Sequence, residues 1–128
     1  MPIVGLGLDL AQIERVRAFV EQRGERGLAR LFTDGERAYC ERRMLTRYAS
    51  YAGRFAVKEA VMKLLGTGWA RGVRWVDIEV VRAPGEAPVV VLHGASARIA
   101  AAKHIARIHI TITHDAGIAA AVAVGESL

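Results

Sequence analysis

The feature that most constrains this chain is a change of hydrophobic period about halfway along it. As far as Leu65 the apolar residues recur at helical spacing, and from Val76 onward they mostly alternate. A helix repeats every 3.6 residues and a strand every second residue, so the two halves call for different elements. Val4 to Leu8, a short apolar run with two glycines, reads as an opening strand. Leu10, Ile13, Val16 and Val20 then define a helix that stops at Gly24. Thr33-Asp34-Gly35-Glu36 matches a capping box and opens a short polar helix towards Arg43. Tyr48 to Leu65 is the longest helical pattern, with Ala52, Phe55, Ala56, Val61 and Leu64 at core spacing and Gly66 as its stop.

In the second half Val76, Ile78 and Val80 mark a half-buried strand, Ala83-Pro84-Gly85-Glu86 a turn, and Val89 to Leu92 the returning strand. Ala95 to Ala106 is alanine-rich and helical. Ile108, Ile110 and Ile112 alternate with His109, Thr111 and Thr113, and Ile118 to Val124 follows the turn at Asp115-Ala116-Gly117. Strand, three helices, hairpin, helix, hairpin predicts an α+β fold with a mostly antiparallel sheet and helices packed on it. At 128 residues the chain is expected to be a single domain, 1–128.

Composition narrows the setting. Hydrophobic residues make up 52% and charged residues 24%, which excludes a disordered chain. Cys40 is the only cysteine, so no intrachain disulfide forms and a reducing, cytoplasmic home is expected. Met1 to Leu10 lacks a basic n-region and carries Asp9, unlike a signal peptide, and no apolar run approaches the ~20 residues of a membrane span. Eighteen Lys+Arg against thirteen Asp+Glu give a net charge of +5. Such a surface prefers anionic partners, whether nucleic acid, an acidic protein, a membrane surface or a phosphorylated small molecule. Fifteen of the eighteen are arginine, a bias that a GC-rich genome explains as well as phosphate recognition does.

Among residues that carry chemistry, Asp9 and Glu59 are the sharpest pair. Two carboxylates brought together suit Mg²⁺, which takes one or two protein carboxylates plus substrate phosphates and water. Each has a plain alternative: Asp9 as a helix N-cap completed by Gln12, Glu59 as the i,i+4 partner of Lys63. Arg54, Lys58 and Lys63 form a basic set on the same helix, beside a bridging polyphosphate or as a solvated face. His114, at a strand end, is placed to donate to phosphate or act as acid or base, or to be an edge residue. Cys40 reads as a surface or half-buried bystander.

These residues resemble a family. Gly5-Leu6-Gly7-Leu8-Asp9-Leu10 running into Ile13-Glu14-Arg15, with Gly53-Arg54-Phe55-Ala56-Val57-Lys58-Glu59-Ala60-Val61-Met62-Lys63 and Gly66-Thr67-Gly68, is similar to holo-acyl-carrier-protein synthase, the small phosphopantetheinyl transferases. Asp77-Ile78-Glu79, Leu92-His93-Gly94 and Ile108 to His114 extend the resemblance from Val4 to about Val124. It implies the 4′-phosphopantetheinyl transferase fold and transfer of 4′-phosphopantetheine from coenzyme A to a serine of an apo acyl carrier protein, releasing adenosine 3′,5′-bisphosphate in support of fatty acid biosynthesis. By resemblance Asp9 and Glu59 are the Mg²⁺ ligands and Lys63 lies near the pyrophosphate. Arg54, Gly66, Thr67, Gly68 and His114 match segments around coenzyme A. Glu59, or a metal-bound water it orients, is the candidate base for the serine hydroxyl. Asp115 departs from the pattern, standing where a small hydroxyl residue is expected. The resemblance also implies a homotrimer with active sites between subunits. It makes the first helix the dock for the acidic carrier protein, with Arg15 matching an arginine used there. Phe19 and Arg23 follow at i,i+4 steps, and that stripe reads either as part of the dock or as a solvated face with Phe19 in the core.

A basic nucleic-acid-binding module without catalysis is the competing class. The chain shows no RNA-binding or helix-turn-helix signature, and its 6% aromatic content is thin for base stacking.

Overall fold

The computed structural model describes residues 2–128. Strand β1 (Ile3–Gln12) leads into helix α1 (Ile13–Leu31), followed by α2 (Asp34–Arg42) and α3 (Arg47–Leu65). Strands β2 (Ile78–Val81) and β3 (Val89–Leu92), helix α4 (Gly94–Ala102), and strands β4 (Arg107–Asp115) and β5 (Ile118–Glu126) complete the chain. The strands form two antiparallel sheets, one of three in the order β1-β5-β4 and one hairpin, β2-β3. The α+β expectation and the element order hold.

Helix α3 is the hub, covered by the larger sheet, α1 and α2. Its Ala52, Ala56, Val57, Ala60, Val61 and Leu65 have no exposed surface. The sheet meets it with small residues: Gly5 and Gly7 on β1, Ala119, Ala121, Ala123 and Gly125 on β5. A Cβ at Gly7 would stand 1.8 Å from the Ala60 carbonyl oxygen. Glycine inside a strand weakens it, and its use here is the close backbone approach it permits. The capping box is present in full, with Thr33 Oγ accepting from the Glu36 N–H and Glu36 from the Thr33 N–H. Gly66 caps α3 in the left-handed conformation, φ 74°.

Four boundaries depart from the expected ones. β1 runs on through Asp9 to Gln12, because its ladder with β5 continues as far as Gln12 opposite Ile118. Leu10 therefore lies on the outer face of the sheet, 63% exposed, and not on the buried face of the first helix. Asp9 is a strand residue and caps no helix. α1 kinks at Gly24 (φ 60°, ψ −144°) and continues to Leu31, burying Gly27, Leu28 and Leu31 beyond the kink. Val76 belongs to a 3₁₀ turn, Trp75–Asp77, and α4 ends at Ala102, short of Ala106.

While the Lys63 side chain is 55% exposed, Lys58 fits neither alternative for the basic set, a bridging polyphosphate or a solvated face. Its side chain is wholly buried, and its Nζ donates to Glu36 Oε1 at 2.8 Å and to the carbonyls of Trp75 and Ile78. Glu36 also accepts from the Val80 N–H, so every partner of this buried pair is satisfied and α2, α3 and β2 are tied together.

Candidate functional site

Along β1 alternate residues turn towards α3, so Gly5, Gly7, Asp9 and Ala11 face the helix while Leu6, Leu8 and Leu10 face away. The missing side chain at Gly7 lets α3 lie against β1 at Ala60, one residue past Glu59. That contact sets Asp9 beside the helix bearing Glu59 and Lys63. Lys63 Nζ donates to Asp9 Oδ1 at 3.0 Å and to the Leu8 carbonyl at 2.9 Å. Burial first, and then the charge of Asp9, push the Glu59 carboxyl above the usual carboxylate range, with Lys63 opposing. The Asp9 charge beside the half-buried Glu59 adds to the cost of ionising Glu59, a cost that a bound cation relieves. Among the described residues no three acidic, histidine or cysteine side chains are grouped so as to hold a metal ion between them. The donor set therefore suits a hard cation that fills its shell with water and phosphate oxygens.

Asp9 and Glu59 lie in a groove of about 1010 Å³ between α1 and α3. Arg15, Phe19 and Arg23 of α1 line it, so the structure brings the expected docking stripe to the carboxylates. Phe19 is half-buried, with the Arg23 guanidinium over its ring at 5.9 Å. Sequence reasoning missed Arg26 and Arg30, because it ended the helix at Gly24. It also missed the wall opposite, Phe55, Trp75 and Trp69. Phe55 sits one turn before Glu59, and that spacing was the available signal.

The remaining expected residues do not line this groove. Arg54 lies on another side of α3, its guanidinium stacked over Tyr39 at 3.9 Å. It is only 6% exposed, and its Nε has no hydrogen-bond partner. Arg43 also approaches the Tyr39 ring, and Arg82 donates to the Tyr39 hydroxyl, giving three cations around one ring. Gly66, Thr67 and Gly68 form the turn after α3, where Thr67 is buried and its N–H closes onto the Met62 carbonyl. His114 is exposed near the end of β4, opposite Ala119 of β5. The chain therefore carries two separated sets of candidate residues, one in the groove and one outside it.

Comparison with known proteins follows the same lines. The 4′-phosphopantetheinyl transferase superfamily matches residues 5–123. The holo-acyl-carrier-protein synthase of Agrobacterium fabrum is 52% identical over 130 residues, covering 98% of this chain and 96% of that protein. That of Desulforudis audaxviator is 46% identical over 127 residues, covering 98% and 95%. Among solved structures, Helicobacter pylori holo-acyl-carrier-protein synthase in complex with coenzyme A superposes with a TM-score of 0.82 at 30% identity, covering 94% of this chain and 99% of that one. The acyl carrier protein synthase of Mycobacterium tuberculosis superposes with a TM-score of 0.74 at 37% identity, covering 99% and 100%. The nucleic-acid-binding alternative finds no support among these relatives. With its fold, its paired carboxylates and its sequence aligned along nearly the whole length, the chain belongs to the holo-acyl-carrier-protein synthase family of phosphopantetheinyl transferases.

Proposed function

We propose that the whole chain, 1–128, is one transferase domain that moves 4′-phosphopantetheine from coenzyme A to a serine of an acidic apo carrier protein, with Mg²⁺ at Asp9 and Glu59. The observation that carries this reading is the meeting of Asp9, Glu59 and Lys63 at the end of a groove rimmed by Arg15, Phe19 and Arg23. Bound Mg²⁺ supplies neutralisation of the charge on the transferring phosphoryl group. Lys63, whose ammonium already spans to Asp9, adds positive charge at the same end. The serine oxygen attacks the phosphorus bearing the pantetheine, the bond to adenosine 3′,5′-bisphosphate breaks, and the serine proton passes to Glu59 or to a water that Glu59 orients.

Arg54 and His114 enter this reading as coenzyme A contacts supplied by a neighbouring subunit, with the Gly66-Thr67-Gly68 turn beside the ligand. The buried, unpartnered Nε of Arg54 supports it, because an orphaned guanidinium donor is costly unless a ligand completes it. The homotrimer has its own support in the outer face of the large sheet. Leu6, Leu8 and Leu10 stand in register with Val124, Val122 and Ala120, an apolar surface that a second copy of the chain would cover. In this reading the enzyme acts in the cytoplasm and supplies carrier protein for fatty acid biosynthesis. Among the described residues no helix is long and apolar enough to cross a membrane.

The test is coenzyme A consumption with an apo carrier protein, with and without Mg²⁺. Asp9→Ala and Glu59→Gln are expected to lose transfer almost entirely while keeping the fold, and wild-type turnover by either at saturating Mg²⁺ refutes the two-carboxylate site. Arg15→Glu is expected to raise the KM for carrier protein and flatten its salt dependence, with the KM for coenzyme A unchanged.

A further inference from the structure

The groove at Asp9 and Glu59 has two walls, and the docking stripe accounts for one. On the α1 side Arg15, Arg23, Arg26 and Arg30 line it, and none has a carboxylate within 4.0 Å among the described residues. By contrast, Arg17 and Arg37 on neighbouring surfaces are paired with Glu14, Glu21 and Glu25. The opposite wall is aromatic. Phe55 and Trp75 stack at 5.0 Å with their planes 17° apart, and Trp69 leans on Trp75 at 6.1 Å. Trp69 itself is 72% exposed.

This wall is held in place. The Trp75 carbonyl accepts from the buried Lys58 ammonium, which fixes the 3₁₀ turn to the core of α3. Trp69 rides on a segment built from consecutive turns, with the Ala70 N–H bonded to the Thr67 carbonyl and the Val73 N–H to the Ala70 carbonyl. Gly66, Gly68 and Gly72 take the positive φ values those turns require. An indole so placed presents a large rigid area and loses little side-chain freedom on binding.

We propose that Trp69, backed by Trp75 and Phe55, is the apolar anchor that seats the acidic carrier protein against the wall opposite α1. The proposal rests on the transferase reading, in which α1 docks that carrier. Unpaired cations on one wall and an exposed indole on the other match an amphipathic acidic helix, its carboxylates towards α1 and an apolar side chain against Trp69. The arginines steer the encounter and Trp69 holds the complex, because burying an aromatic anchor acts mainly on dissociation.

Steady-state kinetics of Trp69→Ala and Trp69→Phe in the full chain, varying apo carrier protein and coenzyme A in turn, tests this. Trp69→Ala is expected to raise the KM for carrier protein about 10- to 30-fold, as aromatic hot spots do. The KM for coenzyme A and the turnover at saturating carrier stay near wild type. The salt dependence of the carrier KM is also retained, unlike that of Arg15→Glu. Trp69→Phe recovers part of the loss. In Trp75→Phe, Trp69 is the sole tryptophan of the chain, and its emission is expected to shift to the blue on adding a tryptophan-free apo carrier but not with coenzyme A alone. A raised KM for coenzyme A with an unchanged carrier KM assigns the wall to the coenzyme and overturns the proposal. Wild-type constants in Trp69→Ala overturn it as well, while leaving the transferase reading intact. Absence of any transfer by the wild-type chain removes both.

Discussion

Adding one methyl group at Gly7 tests the contact that assembles the site. Gly7 is not among the glycines with positive φ, so alanine fits its backbone and the effect is one of space alone. The new Cβ would lie 1.8 Å from the Ala60 oxygen, 2.7 Å from the Ala60 carbon and 3.1 Å from the Leu64 nitrogen. Ordinary contact begins at 3.4 Å, so α3 and β1 must part by about 1.6 Å, and no side chain can move aside because all three atoms are backbone. Overpacking of this kind costs about 1–3 kcal/mol and occasionally more. The rigid obstacle puts Gly7→Ala at about 3 kcal/mol, or roughly 10 °C of Tm for a chain of this size. Asp9 and Glu59 stand on the two elements forced apart, and a misplacement of about 1 Å is enough to cost around 100-fold in rate. Gly5→Ala is the control: its Cβ meets the Leu64 Cδ1 atom at 2.7 Å, the end of a side chain that can swing away. It is expected to cost about 1 kcal/mol or less with near-normal turnover. Calorimetry and transfer rates on both variants decide the matter. Gly7→Ala with wild-type Tm and turnover, or Gly5→Ala as damaging as Gly7→Ala, refutes the reasoning.

Lys58→Met leaves the Glu36 carboxylate buried without its cation, and urea denaturation is expected to show a loss of about 3–5 kcal/mol, partly restored by adding Glu36→Gln. Burial pushes the Cys40 thiol up to about 12, so iodoacetamide at pH 8 is expected to label the chain only after unfolding. Burial works against Glu79, but hydrogen bonds from Thr33 and His93 prevail and hold its carboxyl below the usual range. Its stabilising contribution is therefore present above the unfolded-state value near 4.5 and fades as pH falls towards the folded one. The stability gap between wild type and Glu79→Gln, followed by thermal melts from pH 6 to pH 3, is expected to narrow on acidification.

Period and punctuation decided most of the secondary structure, because both act within a few residues. The capping box at Thr33, the stop at Gly66 and the alternating Ile108, Ile110 and Ile112 were legible for that reason. The family resemblance singled out Asp9 and Glu59, whereas local spacing alone left a helix cap and an i,i+4 pair as open alternatives. What the sequence could not show depended on contacts between distant segments. β1 extends past Asp9 only because β5, more than a hundred residues later, pairs with it that far. Lys58 and Lys63 look alike on a helix five residues apart, yet one is wholly buried against Glu36 and the other reaches Asp9. Which face of α3 met α2 and which met β1 made that difference. Arg54, assigned by resemblance to coenzyme A, points to another side of the helix from the Mg²⁺ candidate Glu59, since five residues turn it by about 140°. Local pattern chose the elements. The small residues at Gly7, Ala60 and Ala121 let the helix and sheet come close enough to turn separate motifs into one site, and that depended on distances no local pattern encodes.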